Sequence, residues 1–263
     1  MEEKSMTIKE ILCRSVLTKS NLPEVDYCIN PYVGCLHGCV YCYASFMKRF
    51  TGHKEEWGTF LDVKVNAPEI LKKEITPRKK RGKILIGSVT DAYQPTERMF
   101  RLTRQILEIL AKYDFPVSIL TKSNLVKRDF DIIRSIGSCE VGMTLTSLDE
   151  SISRIIEPVA STPAERLDAL SFFRQSGISA YAFIGPILPG LIDLRSILKA
   201  LKGRVDFVMF ETLNQNKSNR DKIARAYEKA GVILKQADWI SVEREAIELS
   251  RNEGIPVKGF YKH

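Results

Sequence analysis

The stretch Val25-Asp26-Tyr27-Cys28-Ile29-Asn30-Pro31-Tyr32-Val33-Gly34-Cys35-Leu36-His37-Gly38-Cys39-Val40-Tyr41-Cys42-Tyr43-Ala44 is the part of this chain whose reading decides the rest. It opens as a strand over Val25–Asn30 and runs into a loop that carries three cysteines at C-x-x-x-C-x-x-C spacing. Three thiolates in one loop suffice to hold three corners of a cubane iron–sulfur cluster and leave the fourth iron without a protein ligand. A metal with an open position can bind a small molecule, as catalytic zinc does. Gly34 and Gly38 allow the backbone to wrap closely. The competing reading is a zinc site with Cys28 or His37 as fourth ligand, although zinc motifs ordinarily bring two separated C-x-x-C pairs and this loop brings one group.

Outward from the loop, short β-branched or aromatic runs alternate with longer helical patterns. Strands are expected at Lys83–Gly87, Val117–Leu120, Glu140–Thr146, Ser179–Ile184 and Asp206–Glu211, each apolar enough to be covered on both faces. Helices are expected at Ala67–Ile75, Thr96–Tyr113, Lys127–Ile136, Thr162–Ser176 and Leu191–Leu201. Thr162-Pro163-Ala164-Glu165 supplies an N-cap, Pro at the first helical position and Glu at the third, and Gly177 a stop. Strand–helix alternation of this kind predicts right-handed βαβ units, a parallel sheet and an α/β fold; six units can curl into an open barrel. Lys217–Asn252 reads as two helices and Ile255–His263 as an extended tail. One domain is expected over residues 1–263, with a core of about 26–213 and a C-terminal extension over 214–263.

Composition bounds the function. Of 263 residues, 44% are apolar and 27% charged, which supports a sizeable core and argues against general disorder. No apolar run approaches the roughly 20 residues that span a bilayer, and MEEKSMTIKE has no apolar leader, so a cytoplasmic protein without membrane contact is expected. In a reducing compartment six cysteines do not read as a disulfide framework. A charge of +8 suits a polyanionic partner or plain solubility. Lys72–Lys83, with seven Lys or Arg in twelve residues, suggests nucleic acid, but it joins a helix to a strand and so lies at the end of the sheet away from chemistry.

With Tyr41 as the aromatic before the last cysteine, the chain resembles the radical S-adenosylmethionine (SAM) superfamily. Ser88-Val89-Thr90-Asp91-Ala92-Tyr93-Gln94-Pro95, Thr121-Lys122-Ser123, Thr146-Ser147-Leu148-Asp149, Glu157-Pro158 and Gly185-Pro186-Ile187-Leu188-Pro189-Gly190 resemble blocks of its spore-photoproduct-lyase-like branch. The resemblance implies a partial (β/α)6 TIM-like barrel, a 4Fe–4S cluster on Cys35, Cys39 and Cys42, and SAM across the C-terminal ends of the strands. In the family, SAM chelates the open iron, and one electron breaks its S–C5′ bond to give methionine and a 5′-deoxyadenosyl radical. An external flavodoxin- or ferredoxin-like donor is therefore implied.

Carried over residue by residue, Tyr41 packs near the adenine. Ser88, Thr90 and Asp91 stand where the family receives SAM's amino group. Lys122, Thr146, Ser147 and Arg154 share its carboxylate, and Ile184 and Gly185 line the adenine. Tyr43 resembles a cluster-loop tyrosine of the lyase and is the candidate catalytic side chain. Taken from the residues alone, Thr90-Asp91 and Ser147 also read as helix caps and Lys122 as a solvated charge. Ser88 stands where the lyase has its cysteine hydrogen donor, and an O–H bond is too strong for that role. Cys139 precedes a strand at the opposite end, and Cys28 reads as core. The long connection Phe46–Asn66, with Lys48, Arg49, His53, Trp57 and Phe60, is expected to contact substrate. The alternatives are a nucleic-acid repair or modification enzyme of the same chemistry, or a zinc-stabilised nucleic-acid-binding protein without catalysis.

Overall fold

The computed structural model describes residues 6–76, 79–215 and 217–262. The chain forms two compact units: residues 1–38 with 44–140, and residues 39–43 with 141–263. Residues 214–263 belong to the second unit because they pack into it, the helix Arg220–Lys229 against Glu150–Ile156 and the terminal strand against its neighbour.

In the first unit, strands β1 (Thr7–Ile11), β2 (Leu17–Lys19), β3 (Tyr27–Ile29), β4 (Tyr32–Val33), β5 (Phe60–Lys64), β6 (Ile84–Ile86) and β7 (Val117–Thr121) form two arrays. β3, β6 and β7 run parallel, with β2 antiparallel at the edge. β3, β6 and β7 are the strands expected there. β1, β5 and β4 form a small separate sheet that the sequence reading did not anticipate. It absorbs much of the segment expected to contact substrate: Phe60 is fully buried and Trp57 nearly so. His53 stacks on Phe60 at 3.9 Å and bonds Asp62 at 2.9 Å. These side chains are core because they cover β5. The expected helix Thr96–Tyr113 is broken into Glu97–Phe100 and Leu102–Leu110 by Arg101, whose φ is 51°. The buried Glu97 carboxylate accepts from the Thr103 amide at 3.1 Å and so caps the second piece.

The second unit carries β8 (Cys139–Thr144) from Val141 onward, then β9 (Ser179–Ile184), β10 (Phe207–Glu211) and β11 (Val257–Tyr261) in that order, β9 parallel to β10 and β10 to β11. The tail expected merely as extended chain is thus a paired strand. Helix Pro163–Gln175 begins with the expected capping box and ends before Gly177 at φ 78°. Gly142 is required by packing, because a Cβ there would meet the Tyr181 ring at 2.1 Å.

Candidate iron–sulfur and S-adenosylmethionine site

The cysteine loop passes from one unit to the other between Gly38 and Cys39. On the first-unit side it turns at Gly34, φ 89°, where a Cβ would lie 2.6 Å from the Phe60 carbonyl oxygen. Side chains from the segment after β6 hold this turn. Thr90 Oγ1 donates to the Gly34 carbonyl at 2.5 Å, and the Leu36 amide donates to Gln94 Oε1 at 2.8 Å. Gln94 Nε2 donates in turn to Thr90 Oγ1 at 3.1 Å. At Gly38 the backbone passes so close to Gly58 that a Cβ on Gly58 would lie 2.8 Å from the Gly38 Cα. Cys35, between the two turns, is buried.

His37 is buried beside Cys35, and its Nδ1 lies 3.3 Å from Asp91 Oδ2 as an ion pair outside hydrogen-bond alignment. Burial opposes the imidazolium charge, but Asp91 and the Cys35 sulfur outweigh it and lift its pKa to about 9. Asp91 has its acceptor positions filled from within. Thr121 Oγ1 donates to Oδ1 at 2.6 Å, as does the Tyr93 amide at 2.9 Å, and the Lys122 amide donates to Oδ2 at 2.8 Å. Burial would raise its pKa, yet His37 and these donors hold the carboxyl well below the usual carboxylate range. Asp91 and Thr90 brace the loop against β7 because their polar groups are already spent inside the unit. Ser88 is half-buried, and Asn30 Nδ2 donates to its hydroxyl at 3.0 Å. Lys122 is likewise half-buried.

In the second unit, Cys39 and Tyr41 lie in an apolar cluster with Ile156, Leu188, Leu213, Ile223 and Tyr227. Cys42 and Tyr43 are half-buried. The Tyr41 hydroxyl donates to Glu157 Oε1, which also accepts from Thr146 Oγ1 at 2.9 Å. Glu157 Oε2 pairs with Arg166 Nη2 at 2.5 Å. Burial, then the Glu157 charge, pushes the Tyr41 pKa well above its ordinary value. Thr146 serves Glu157. Arg154 stands on an exposed helix face, with Glu150 at 3.5 Å and the Ala160 carbonyl at 3.3 Å. Ser147 Oγ accepts from the Asp149 amide at 3.1 Å, and Asp149, not Ser147, caps the following helix. Ile184 is fully buried, and the Phe183 ring lies over Gly185.

Sequence reasoning missed Asn30, Gln94, Arg166 and Asn219 as parts of this framework. Arg166 had a legible signal: it falls on the helix face of Ala169, Leu170 and Phe173, where a charge requires a buried partner. Of the basic run, Pro77 and Arg78 lie outside the described residues. Lys79 sits over the Tyr27 ring at 5.2 Å, Arg81 pairs with Asp114, and Lys83 pairs with Glu140 at 2.6 Å.

The donor set fits a cluster. None of the six cysteines is in a disulfide, and the loop turns before Cys35 at Gly34, where a Cβ would meet the Phe60 carbonyl. Among the described residues no three His, Cys, Asp or Glu side chains converge as ligands of a single ion do. Thiolates that each hold a different iron need no such convergence. Among the described residues no helix is long and apolar enough to cross a membrane.

Residues 29–202 match the radical SAM superfamily. The chain is 36% identical over 259 residues to an uncharacterized protein of Methanocaldococcus jannaschii, covering 97% of this chain and 98% of that one. It is 23% identical over 176 residues to the radical SAM Nalpha-GlyT isomerase of Pseudomonas phage M6, covering 65% of this chain and 36% of that protein. A spore photoproduct lyase complexed with dinucleoside spore photoproduct superposes with a TM-score of 0.71 at 19% identity, covering 97% of this chain and 82% of the lyase. That likeness gives the fold as α/β with a mostly parallel central sheet. The match over most of the chain, on a loop that carries three cysteines outside any disulfide, makes this protein a member of the radical SAM superfamily.

Proposed function

We propose that the chain holds a 4Fe–4S cluster through Cys35, Cys39 and Cys42 and cleaves SAM reductively. The observation that carries this reading is the set of three cysteines at C-x-x-x-C-x-x-C spacing inside the matched segment, none of them in a disulfide. When bound, the cluster supplies the electron that splits SAM into methionine and a hydrogen-abstracting 5′-deoxyadenosyl radical. The chain's residues orient the ligand and exclude water. Ser88, Lys122 and Gly185, which follow strands, and Ile184, which ends one, remain the SAM contacts we favour, with Tyr43 nearest the chemistry. Asp91 and Thr90 fix the Cys35 turn, and Glu157 fixes Tyr41. The electron comes from a flavodoxin- or ferredoxin-like donor, and six cysteines without a disulfide suit a reducing cytoplasm.

A second reading concerns substrate. The charge of +8, together with the likeness in fold to a lyase complexed with a dinucleoside photoproduct, favours a nucleotide or nucleic acid. Retained nucleic acid and a steep salt dependence of binding support it; their absence favours a small molecule.

Anaerobic purification tests the main reading. The expected result is about four irons and four sulfides per chain, no zinc, and 5′-deoxyadenosine on reduction with SAM. Cys35→Ala, Cys39→Ala and Cys42→Ala each lose the iron, while Cys13→Ala and Cys139→Ala keep it. Wild-type iron content in any of the three loop variants refutes the ligand assignment.

A further inference from the structure

Tyr41, between the second and third cysteines, is gripped at both ends. Its hydroxyl donates to Glu157, and its carbonyl accepts from Asn219 Nδ2 at 3.0 Å. The preceding Val40 amide donates to the Ile156 carbonyl at 3.0 Å. Cys39 and Cys42 flank this fixed residue, and the Cys42 amide donates to the Cys39 carbonyl at 3.2 Å.

The grip is built from groups that are costly to bury. Glu157 and Arg166 are each 1% exposed. Arg166 is fixed further by donation from Nε to the Ser161 carbonyl at 2.8 Å and from Nη1 to the Thr144 carbonyl at 3.0 Å. Desolvating two charges offsets most of their attraction, so such a pair adds little stability over apolar packing. Its geometry is what it contributes: one carboxylate with Arg166 on one oxygen, and Thr146 and Tyr41 on the other. A ring that only packed on a base would need no hydroxyl partner and no buried charge behind it. Asn219, from the C-terminal residues, makes a second hold by bonding the Asn214 carbonyl at 2.9 Å as well.

We propose that Glu157, backed by Arg166, and Asn219 are positioning residues that hold the Cys39–Cys42 segment in the shape that receives the cluster, with Tyr41 as their handle. This rests on the cluster reading above. It gives the residues beyond the sheet a part in the site.

The test removes the handle's hydroxyl and keeps its ring. Wild type, Tyr41→Phe and Asn219→Ala are reconstituted with iron and sulfide. Each is then followed for iron loss to a chelator, the electron paramagnetic resonance spectrum of the reduced cluster, and its midpoint potential. The expected result is iron loss about tenfold faster in Tyr41→Phe, the scale of one lost charge-assisted hydrogen bond, and about threefold to fivefold faster in Asn219→Ala, which loses a bond between neutral groups, with an altered spectrum in both. Circular dichroism reports folding, and if Tyr41→Phe does not fold, Asn219→Ala carries the test. Iron loss, spectrum and potential all at wild-type values in the folded variants overturn the proposal and leave Tyr41 a packing ring. A wild-type chain that binds no iron overturns the cluster reading, and this proposal with it.

Discussion

Gly34→Ala separates the two demands that the cysteine loop places on its first turn. Gly34 has φ 89°, where an L side chain costs about 1–2 kcal/mol. Its new Cβ would also lie 2.6 Å from the Phe60 carbonyl oxygen and 2.9 Å from the Phe60 ring. The carbonyl belongs to β5, between β1 and β4, so it cannot retreat as the end of a flexible side chain would. Overpacking of this kind costs a further amount of about 1–3 kcal/mol. Gly52→Ala is the control: its φ is 72° and nothing lies within 4 Å of the Cβ, so only the conformational cost remains. Urea denaturation of the two variants isolates the steric part, with Gly34→Ala less stable by about 1–3 kcal/mol at unchanged slope. Because Cys35 follows directly, Gly34→Ala also loses iron on reconstitution, while Gly52→Ala loads as wild type does. Equal stability in the two variants refutes the steric argument, and full loading of Gly34→Ala refutes its link to the cluster.

Arg166→Met leaves Glu157 buried without its counter-charge and costs about 3–5 kcal/mol, read as a lower denaturation midpoint; Arg154→Ala, on the exposed face, shifts stability by less than about 0.5 kcal/mol. Asp193 caps helix Leu194–Leu201 by accepting from the Ser196 amide at 3.1 Å, so Asp193→Ala costs about 1 kcal/mol at pH 7. The Ser196 hydroxyl and amide lower its pKa. The cap's contribution is therefore full above the ordinary aspartate range and is lost as pH falls through the depressed one. Wild type and variant then converge in acid, and a gap that persists there counts against the carboxylate as the cap. With dinucleoside spore photoproduct, SAM and reductant, wild type gives no multiple-turnover yield of thymine, because Ser88 offers a hydroxyl already engaged by Asn30. Turnover would refute this, and gain of activity in Ser88→Cys would support the alignment of that segment.

Sequence alone determined what local chemistry specifies. Three thiols within eight residues, glycines at the sharp turns, and strands alternating with capped helices are patterns of neighbours in the chain, and they fixed the α/β class and the cluster loop. The capping box at Thr162 and the strand Ser179–Ile184 appear as read. Tertiary structure decided where polar groups spend their hydrogen bonds. Asp91 reads in the chain as a helix cap or, by resemblance, a ligand carboxylate, but it accepts from partners 30 and 31 residues away. Tyr41 reads as a packing ring, but its hydroxyl meets a carboxylate 116 residues on, and its carbonyl an amide 178 residues on. The small sheet of β1, β5 and β4 stayed hidden for a related reason: β1 shows no clean alternation and gains its partner only across 53 residues. A buried donor or acceptor takes whichever partner the packed chain brings to it, and sequence spacing records only the partners within a turn or two.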